Sequence, residues 1–489
     1  MSSLEKLLQI IQVSHPRANL DVVSLAYDFA EKAHQGQKRF SGEPYFSHPY
    51  AAALTLAEMK GGPNIVAAAL LHDVPEETAV TIEELKKEFG ADIAFMVEGV
   101  TKVGKVKYRG MERYIENLRK MFVAMAVDLR VILIRFADRL HNLQTLEHLP
   151  RDKQVRIAQE SLEIYAPIAN RLGIGEIKGK LEDAAFKYAL PVEYSRVEKL
   201  AIKSYTTRDK YLNRIKKQLE DSLRKNNVEY LSIHGRAKHL YSLYRKLQHY
   251  DWDITKVYDL VALRVIVKDL AGCYHVLGIV NNTWPPLPGR IKDYIAQPKP
   301  NGYQSLHTTV ITGQGNGEVV EFQIRTQEMH EQAEFGIAAH WHYDEAGSFV
   351  PDKKFKWVEE LTNWQQEIYE NQKYLEDLKI DVLKNRIFVF TPRGDVIDLP
   401  EAATPVDFAY SIHTDIGNKC TSALVNEQIV NLDYKLKNGD VVEILIDKNR
   451  KGPNPDWLRF VKSSIARSRI RAAAKPDESG SFLGRMIRK

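Results

Sequence analysis

Residues 70–78 read LLHDVPEET, directly after the apolar run NIVAAALL that occupies 64–71. That run has the composition of a buried segment, yet it delivers His72, Asp73, Glu76 and Glu77 within six positions. Ionisable groups are costly to set against a core unless they are paired or ligated. The stretch therefore reads as a place where a cation or a reacting group is held. Pro75 lacks a backbone donor and disfavours helix just before it. The spacing thus predicts a helix ending near Val74, with Glu76 and Glu77 just beyond it.

Working outward, DLRVILIRFADRLHNLQTL carries Leu129, Ile132, Leu133, Phe136, Ala137, Leu140 and Leu143 at three- and four-residue intervals. This predicts a helix that sets Asp138, Asn142 and Thr145 on one face. KRFSGEPYFSHP adds Arg39 and His48. His48, His72, Asp73 and Asp138 offer two nitrogens and two oxygens, a mix suited to manganese or iron rather than a thiolate-preferring metal. Such a metal would bring the pKa of a bound water down towards ~7. Glu76 and Glu77 would orient that water or move protons. The plainer alternative is a hydrogen-bonded core histidine beside a solvated polar stripe, and spacing alone leaves both readings open.

The chain has 489 residues, 44% hydrophobic and 27% charged, enough for several globular domains. Its 69 Lys and Arg against 64 Asp and Glu give a net charge of +5, which suits anionic ligands without identifying one. Cys273 and Cys420 are the only cysteines, so neither a disulfide framework nor a cysteine-built zinc site is expected. The start, MSSLEKLLQIIQVSH, places charges where a signal peptide needs an apolar core, and no apolar run reaches the length of a membrane span. The expectation is a cytoplasmic protein without a membrane partner.

Residues 20–200 read as mostly helical, whereas 255–325 bring the β-branched runs LVALRVIV and EVVEFQI and predict a mixed sheet. HGRAKHLYSLYRKLQ (234–248) is read as opening a helix. Lys238, Ser242 and Lys246 recur on one face of it, with Arg236 just before. A row of cations meets a polyphosphate well, although a solvated basic face fits the same spacing. Asp259 stands at the start of one strand. Glu321 lies on the ionisable face of another, opposite Val320, Phe322 and Ile324, so the two are candidates for a Mg²⁺ ligand and a second ligand or base. Between them GRIKDYIAQPKPNGYQSLHTTV gathers Arg290, Lys292, Lys299, Asn301, Tyr303 and His307. A tyrosine among cations suits stacking on a base.

RFSGEPYFSHP, LLHDVPEET and FADRLHNLQTL together resemble the HD-type hydrolase domain of the RelA/SpoT alarmone enzymes. The resemblance implies an all-α metal hydrolase. It would remove pyrophosphate from the 3′ position of guanosine tetra- or pentaphosphate, (p)ppGpp. By matching, Mn²⁺ would be held by His48, His72, Asp73 and Asp138. Glu76 and Glu77 match the acidic catalytic pair, and Arg39, Asn142 and Thr145 the nucleotide contacts. The sequence departs from the family at Glu77, usually Asp, and at Pro75, usually aliphatic. GRAKHLYSLYRK, YDLVALRV, RIKDYIAQPKPNGYQSLHT, EFQIRT and AEFGIAAHWHY resemble the synthetase domain of the same enzymes, an α+β nucleotidyltransferase-like fold. That resemblance implies transfer of pyrophosphate from ATP to the 3′-hydroxyl of GDP or GTP. Asp259 and Glu321 would bind Mg²⁺, with Glu321 also the general base. Arg236, Lys238, Ser242 and Lys246 would hold ATP. Tyr303 would stack on guanine beside Asn301 and His307, with Arg290, Lys292 and Lys299 lining the nucleotide site. The basic RIKD motif (290–293) resembles the version found in bifunctional members.

RIFVFTPRGDVIDLPEAATPVDFAYSIHTDIGNKC resembles the small β-grasp-like TGS domain of long members, where His413 matches a position associated with the tRNA acceptor end. The implied organisation is a hydrolase domain at 1–195, a synthetase domain at 196–345, a helical linker at 346–383, the TGS domain at 384–447, and the start of a helical region at 448–489. The zinc-finger and ACT-type regions of long members are not in this sequence. The implied partners are ATP, GDP or GTP and (p)ppGpp, with the ribosome and uncharged tRNA reached through the TGS domain. Two other readings stay open: a synthetase with a weakened, regulatory HD domain, and a ribosome- or tRNA-binding regulator with vestigial catalysis.

Overall fold

The computed structural model describes residues 2–101, 124–125, 127–299, 301–312, 318–336, 386–392, 396–437, 439–447, 449–450 and 452–474. The linker expected at 346–383 and the tail beyond 474 lie outside these residues. The chain divides into two compact units, Met1–Glu367 and Ile368–Lys489.

The first unit opens with helices. Pro63–Leu71 begins on Pro63, whose fixed φ suits the first helical turn. All of Ile65 to Leu71 is buried, because neighbours close on every side: Asp21–Ala33, Ser47–Glu58 and Ile82–Val100. Arg130–Gln144 packs on Ser47–Glu58 and buries the apolar stripe read from the sequence. Burying each such Leu, Ile or Phe side chain contributes ~1.5–3 kcal/mol. The expected end near Val74 is not what is found. The helix stops at Leu71, and a one-turn helix, Val74–Glu77, starts again with Pro75 in its first turn. There the missing donor of proline costs nothing, since first-turn N–H groups have no intrahelical partner.

After helices Gly175–Ala189 and Pro191–Lys225 comes a mixed five-stranded sheet ordered β1-β2-β5-β4-β3. The strands are β1 Ser232–Ala237, β2 Val261–Val267, β3 Lys292–Asp293, β4 Leu306–Ile311 and β5 Val319–Thr326. Only β2 and β5 run parallel. Leu263, Val265, Phe322 and Ile324 fill one face, together with residues of Pro191–Lys225, Leu240–His249 and Leu270–Thr283. The other face is polar. Register aligns His234 with Arg264, Gln323 and His307, and Arg236 with Ala262, Glu321 and Thr309. The helix expected to open in 234–248 begins at Leu240; His234 to Ala237 belong to β1, and Lys238 precedes the helix instead of standing on its face. Pairing with β2, distant in sequence, overrides the local pattern.

The second unit contains the hairpin β6 Arg386–Phe390 and β7 Val396–Pro400, and the sheet β10-β8-β9. The strands of that sheet are β8 Cys420–Val425, β9 Gln428–Val430 and β10 Val442–Ile446. Helices Pro405–Ile412, Thr414–Lys419 and Ser464–Ala474 complete it. Asp407, fully buried, accepts from the backbone and hydroxyl of Thr404 and of Ser463 and from the backbone of Lys462. It thereby ties the start of Pro405–Ile412 to the approach of Ser464–Ala474.

Candidate functional sites

The loop before Ser47–Glu58 is a tight hairpin, Arg39 N–H donating to the Glu43 carbonyl at 2.9 Å. It sends the Arg39 guanidinium to Asn142 Oδ1 at 3.1 Å and Thr145 Oγ1 at 3.3 Å. Asn142 in turn donates to Asp138 Oδ1. Ser47–Glu58 supplies His48, the turn after Leu71 supplies His72 and Asp73, and Arg130–Gln144 supplies Asp138. All four are buried. Ligand atoms of His48, His72 and Asp138 lie within 4.8 Å of one another, a candidate metal-binding cluster. His48 Nε2 is 3.3 Å from Asp138 and 3.4 Å from Asp73, and His72 Nε2 is 3.4 Å from Asp73.

His72 Nδ1–H donates to the Ala69 carbonyl at 2.8 Å, which leaves the lone pair on Nε2. That Nε2 is buried and makes no hydrogen bond among the described residues. An orphaned buried imidazole nitrogen facing two carboxylates is what a divalent metal satisfies. The donor set therefore fits the group expected from the sequence.

Three nearby residues escaped the sequence reading. Tyr45 donates to Asp73 Oδ2 at 3.0 Å, and burial beside Asp73 pushes its hydroxyl pKa up. Gln37 donates to the Glu77 carbonyl at 2.8 Å. His141 Nδ1 meets His48 Nδ1 at 2.9 Å. Burial, with His48 and Arg39 beside it, pushes His141 down to about 3, so the ring is neutral and one of the two Nδ1 atoms donates to the other. Glu77 lines a cleft of about 620 Å³ with Arg39, Ser41, Tyr45, Asp73, Asn142 and Thr145, and Glu76 is half-buried on the same turn. That volume lies in the range of ligand pockets.

The second group lies on the polar face of the five-stranded sheet. Asp259, two residues before β2, accepts from Lys238 Nζ at 2.7 Å and from Lys246 Nζ. Burial acts to raise its carboxyl, but the two ammoniums outweigh that and hold it at about 2. Glu321 on β5 accepts from His307 Nδ1–H at 2.8 Å and from Gln323 at 3.2 Å. Against the upward effect of burial, His307 holds it below the ordinary carboxylate range. With the His307 proton on Nδ1, Nε2 accepts from the Tyr303 hydroxyl at 2.8 Å. Tyr303, His307 and Glu321 thus form one hydrogen-bonded chain.

Lys299 lies over the rings of Tyr294 and Tyr303, at 4.6 and 5.1 Å from their centroids. The residue is exposed, while desolvation of its ammonium, with Lys292 nearby, pushes it down to about 8. Lys292 pairs on β3 with His307. Arg290 lies over Tyr258 at 5.4 Å. Arg236 sits on β1 beside Ala262 rather than on the helix. Ser242 donates to Glu182 at 3.4 Å. The Asn301 amide donates to the Asn170 carbonyl at 3.1 Å, at the end of helix Ala166–Arg171, and its Oδ1 accepts from the Tyr303 N–H at 3.3 Å. Arg325, fully buried, makes no hydrogen bond through a guanidinium nitrogen among the described residues; it lies 4.0 Å from Glu334 and 5.7 Å from the Tyr303 ring centroid. In the second unit, His413 is two-thirds exposed and caps Thr414–Lys419 by accepting from Asp415 N–H.

Three family models match the chain. They are an HD domain over 26–175, the region found in RelA/SpoT proteins over 235–348, and a TGS domain over 387–446. The bifunctional (p)ppGpp synthase/hydrolase SpoT of Escherichia coli K12 is 44% identical over 494 aligned residues, covering 100% of this chain and 70% of its own. This chain belongs to the RelA/SpoT family. Within that family it is also 45% identical to the guanosine-3′,5′-bis(diphosphate) 3′-pyrophosphohydrolase of Aquifex aeolicus, over 98% of this chain and 68% of that one. It is 47% identical to the GTP pyrophosphokinase of Myxococcus xanthus, over 97% of this chain and 63% of that one. The chain thus spans about three-fifths to two-thirds of the length of these RelA/SpoT relatives. Among the described residues no helix is long and apolar enough to cross a membrane.

Proposed function

We propose that this chain both makes and destroys alarmone. It would transfer pyrophosphate from ATP to the 3′-hydroxyl of GDP or GTP, and hydrolyse (p)ppGpp to GDP or GTP and pyrophosphate. One observation carries the reading. A single unit holds a buried two-His, two-Asp cluster at a nucleotide-sized cleft and, separately, the half-buried carboxylates Asp259 and Glu321 among lysines and edge-to-face tyrosines.

In hydrolysis, His48, His72, Asp73 and Asp138 would hold Mn²⁺. The ion supplies Lewis-acid charge at the 3′-phosphate and lowers the pKa of water there. Arg39, fixed by Asn142 and Thr145, orients the nucleotide. Glu76 and Glu77 accept the proton of the attacking water, whose oxygen bonds to the phosphorus on the 3′-oxygen. The P–O3′ bond breaks, and the proton returns to that oxygen. In synthesis, Asp259 and Glu321 would hold Mg²⁺, which neutralises phosphate charge. Lys238, Lys246, Ser242 and Arg236 grip the triphosphate, and Tyr303 stacks on guanine beside Lys299. Glu321, kept ionised by His307, takes the proton of the 3′-hydroxyl as its oxygen bonds to the β-phosphorus. The α–β bridge breaks and AMP leaves. Arg290 and Lys292 add positive charge at the rim.

We take 1–195, 196–345 and 384–447 as the hydrolase, synthetase and TGS domains. The linker between them and the region from 448 follow as the sequence implies. The exposed His413 is our candidate contact for tRNA on the ribosome, and the cytoplasm, where these nucleotides are, is our proposed location. The test is thin-layer separation of products from labelled ATP with GDP, then from purified alarmone with Mn²⁺. Failure to form AMP and alarmone in the first, or pyrophosphate in the second, removes that half of the proposal.

A further inference from the structure

Helix Gly175–Ala189 stands almost wholly between the residues matched by the HD model, which end at 175, and those matched by the RelA/SpoT region, which begin at 235. Gly179, Glu182, Asp183 and Phe186 recur at three- and four-residue intervals and share one face. That face meets the start of helix Leu240–His249. At Gly179 a Cβ would lie 2.2 Å from the His239 ring, so the ring fits there only over glycine. One turn on, Asp183 Oδ2 accepts from His239 Nδ1–H at 2.8 Å, and Oδ1 accepts from the backbone N–H of Tyr241 at 3.0 Å. Glu182, buried, accepts from Ser242 and pairs with Lys178 at 3.2 Å. Phe186, fully buried, packs on Tyr241 and Tyr244 with centroids 5.3 and 5.0 Å away.

Helix Leu240–His249 has no side-chain cap of its own, because His239 at its N-cap makes none. Its first-turn N–H groups need acceptors, and its positive end favours an anion. Asp183 supplies both from another helix. The capped turn directly follows Lys238 and contains Ser242, with Lys246 one turn further.

We propose that Asp183 and Gly179 are positioning residues for pyrophosphate transfer: they fix the start of Leu240–His249, and through it the grip of Lys238, Ser242 and Lys246 on ATP. This rests on the synthetase reading above. Neither residue touches substrate. Their effect runs through the helix, where a displacement of ~1 Å at a gripping group can cost ~10²-fold in rate.

The test uses the full chain and the variants Asp183→Ala, Asp183→Asn and Gly179→Ala. Loss of a helix cap corresponds to roughly two- to thirtyfold in an equilibrium constant. Asp183→Ala should weaken Mg-ATP binding by calorimetry, and raise KM for ATP, by that factor. GDP binding and alarmone hydrolysis should stay within twofold. Amide exchange at Tyr241 should quicken by a similar factor. Asp183→Asn keeps an acceptor for Tyr241 and an amide for His239, and should recover most of the loss. Gly179→Ala should follow Asp183→Ala. Unchanged ATP binding and Tyr241 exchange in Asp183→Ala overturn the proposal. So does an equal loss for ATP, GDP and hydrolysis, which marks general destabilisation. A wild-type chain that binds Mg-ATP but transfers no pyrophosphate refutes the synthetase reading instead, and ATP binding and exchange still decide the role of Asp183.

Discussion

Replacing Glu321 with Gln keeps the side-chain shape but removes charge and basicity. In the wild-type chain both Glu321 bonds run inward, from His307 Nδ1–H and from the Gln323 amide. Both reach the same oxygen, Oε1, so glutamine with its amide oxygen at that place keeps both partners, while each bond loses its charge assistance and with it about half its strength. A placed general base is worth ~10²–10⁴-fold, or roughly 3–5 kcal/mol of barrier at 1.36 kcal/mol per tenfold. The kcat for pyrophosphate transfer should fall at least that far. KM for GDP should stay within about threefold, because the Tyr303 ring is not moved. Initial rates of AMP formation from labelled ATP measure this, with alarmone hydrolysis as the control that should not change. In the wild type, His307 holds Glu321 below the ordinary carboxylate range, so the acid limb of the rate profile should lie below that range too. A loss of less than tenfold in the glutamine variant would refute the assignment and leave the proton to Asp259.

Asp73→Asn should weaken Mn²⁺ binding by calorimetry and abolish alarmone hydrolysis while synthesis stays measurable; unchanged Mn²⁺-dependent hydrolysis would rule out the ligand set. Tyr303→Ala should weaken GDP binding about five- to 150-fold, from ~1–3 kcal/mol of stacking. Tyr303→Phe should cost under threefold in binding, and an equal drop for ATP and GDP in either variant would defeat the stacking role. Lys299, at about 8, is mostly a cation at pH 7 and about nine-tenths neutral at pH 9. GDP affinity should therefore fall towards tenfold over that interval, and Lys299→Arg, charged throughout, should flatten the dependence. Asp407→Ala leaves three buried backbone donors without their acceptor, at ~1–3 kcal/mol each. Amides of Ser464–Ala474 should then exchange far faster, and unchanged exchange would show that the segment is held elsewhere.

Much of this was legible because it is local. The apolar spacing of 129–143 and the alternation of 319–326 survive in the fold as a buried helix stripe and a two-faced strand. His48, His72, Asp73 and Asp138 were found together because each lies in or beside a short pattern set against buried residues. What stayed hidden depends on partners distant in sequence. Arg236 is on a strand only because β2 lies beside β1. Tyr45 and His141 matter through one oxygen and one nitrogen that no spacing announces, 28 and 93 residues from their partners. The Asn301 amide donates to a carbonyl 131 residues away, a contact that no local pattern announces. The restart at Val74 was missed by weighing Pro75 as a helix breaker rather than as a first-turn residue.

The Asn301–Asn170 bond has a consequence for how the nucleotide is met. Its loop contains proline and glycine and would be expensive to order around a ligand. Asn301 ties it to the end of Ala166–Arg171, and the Tyr303 N–H donates back to Asn301 Oδ1 at 3.3 Å. Gly173, at φ +76° with the Asn301 carbonyl 2.9 Å from where a Cβ would sit, lets the two segments close this far. If Tyr303 stacks on guanine as proposed, its loop is preorganised for it: the entropy of fixing the loop is met when the chain folds, so more of the contact energy would be left to show as affinity.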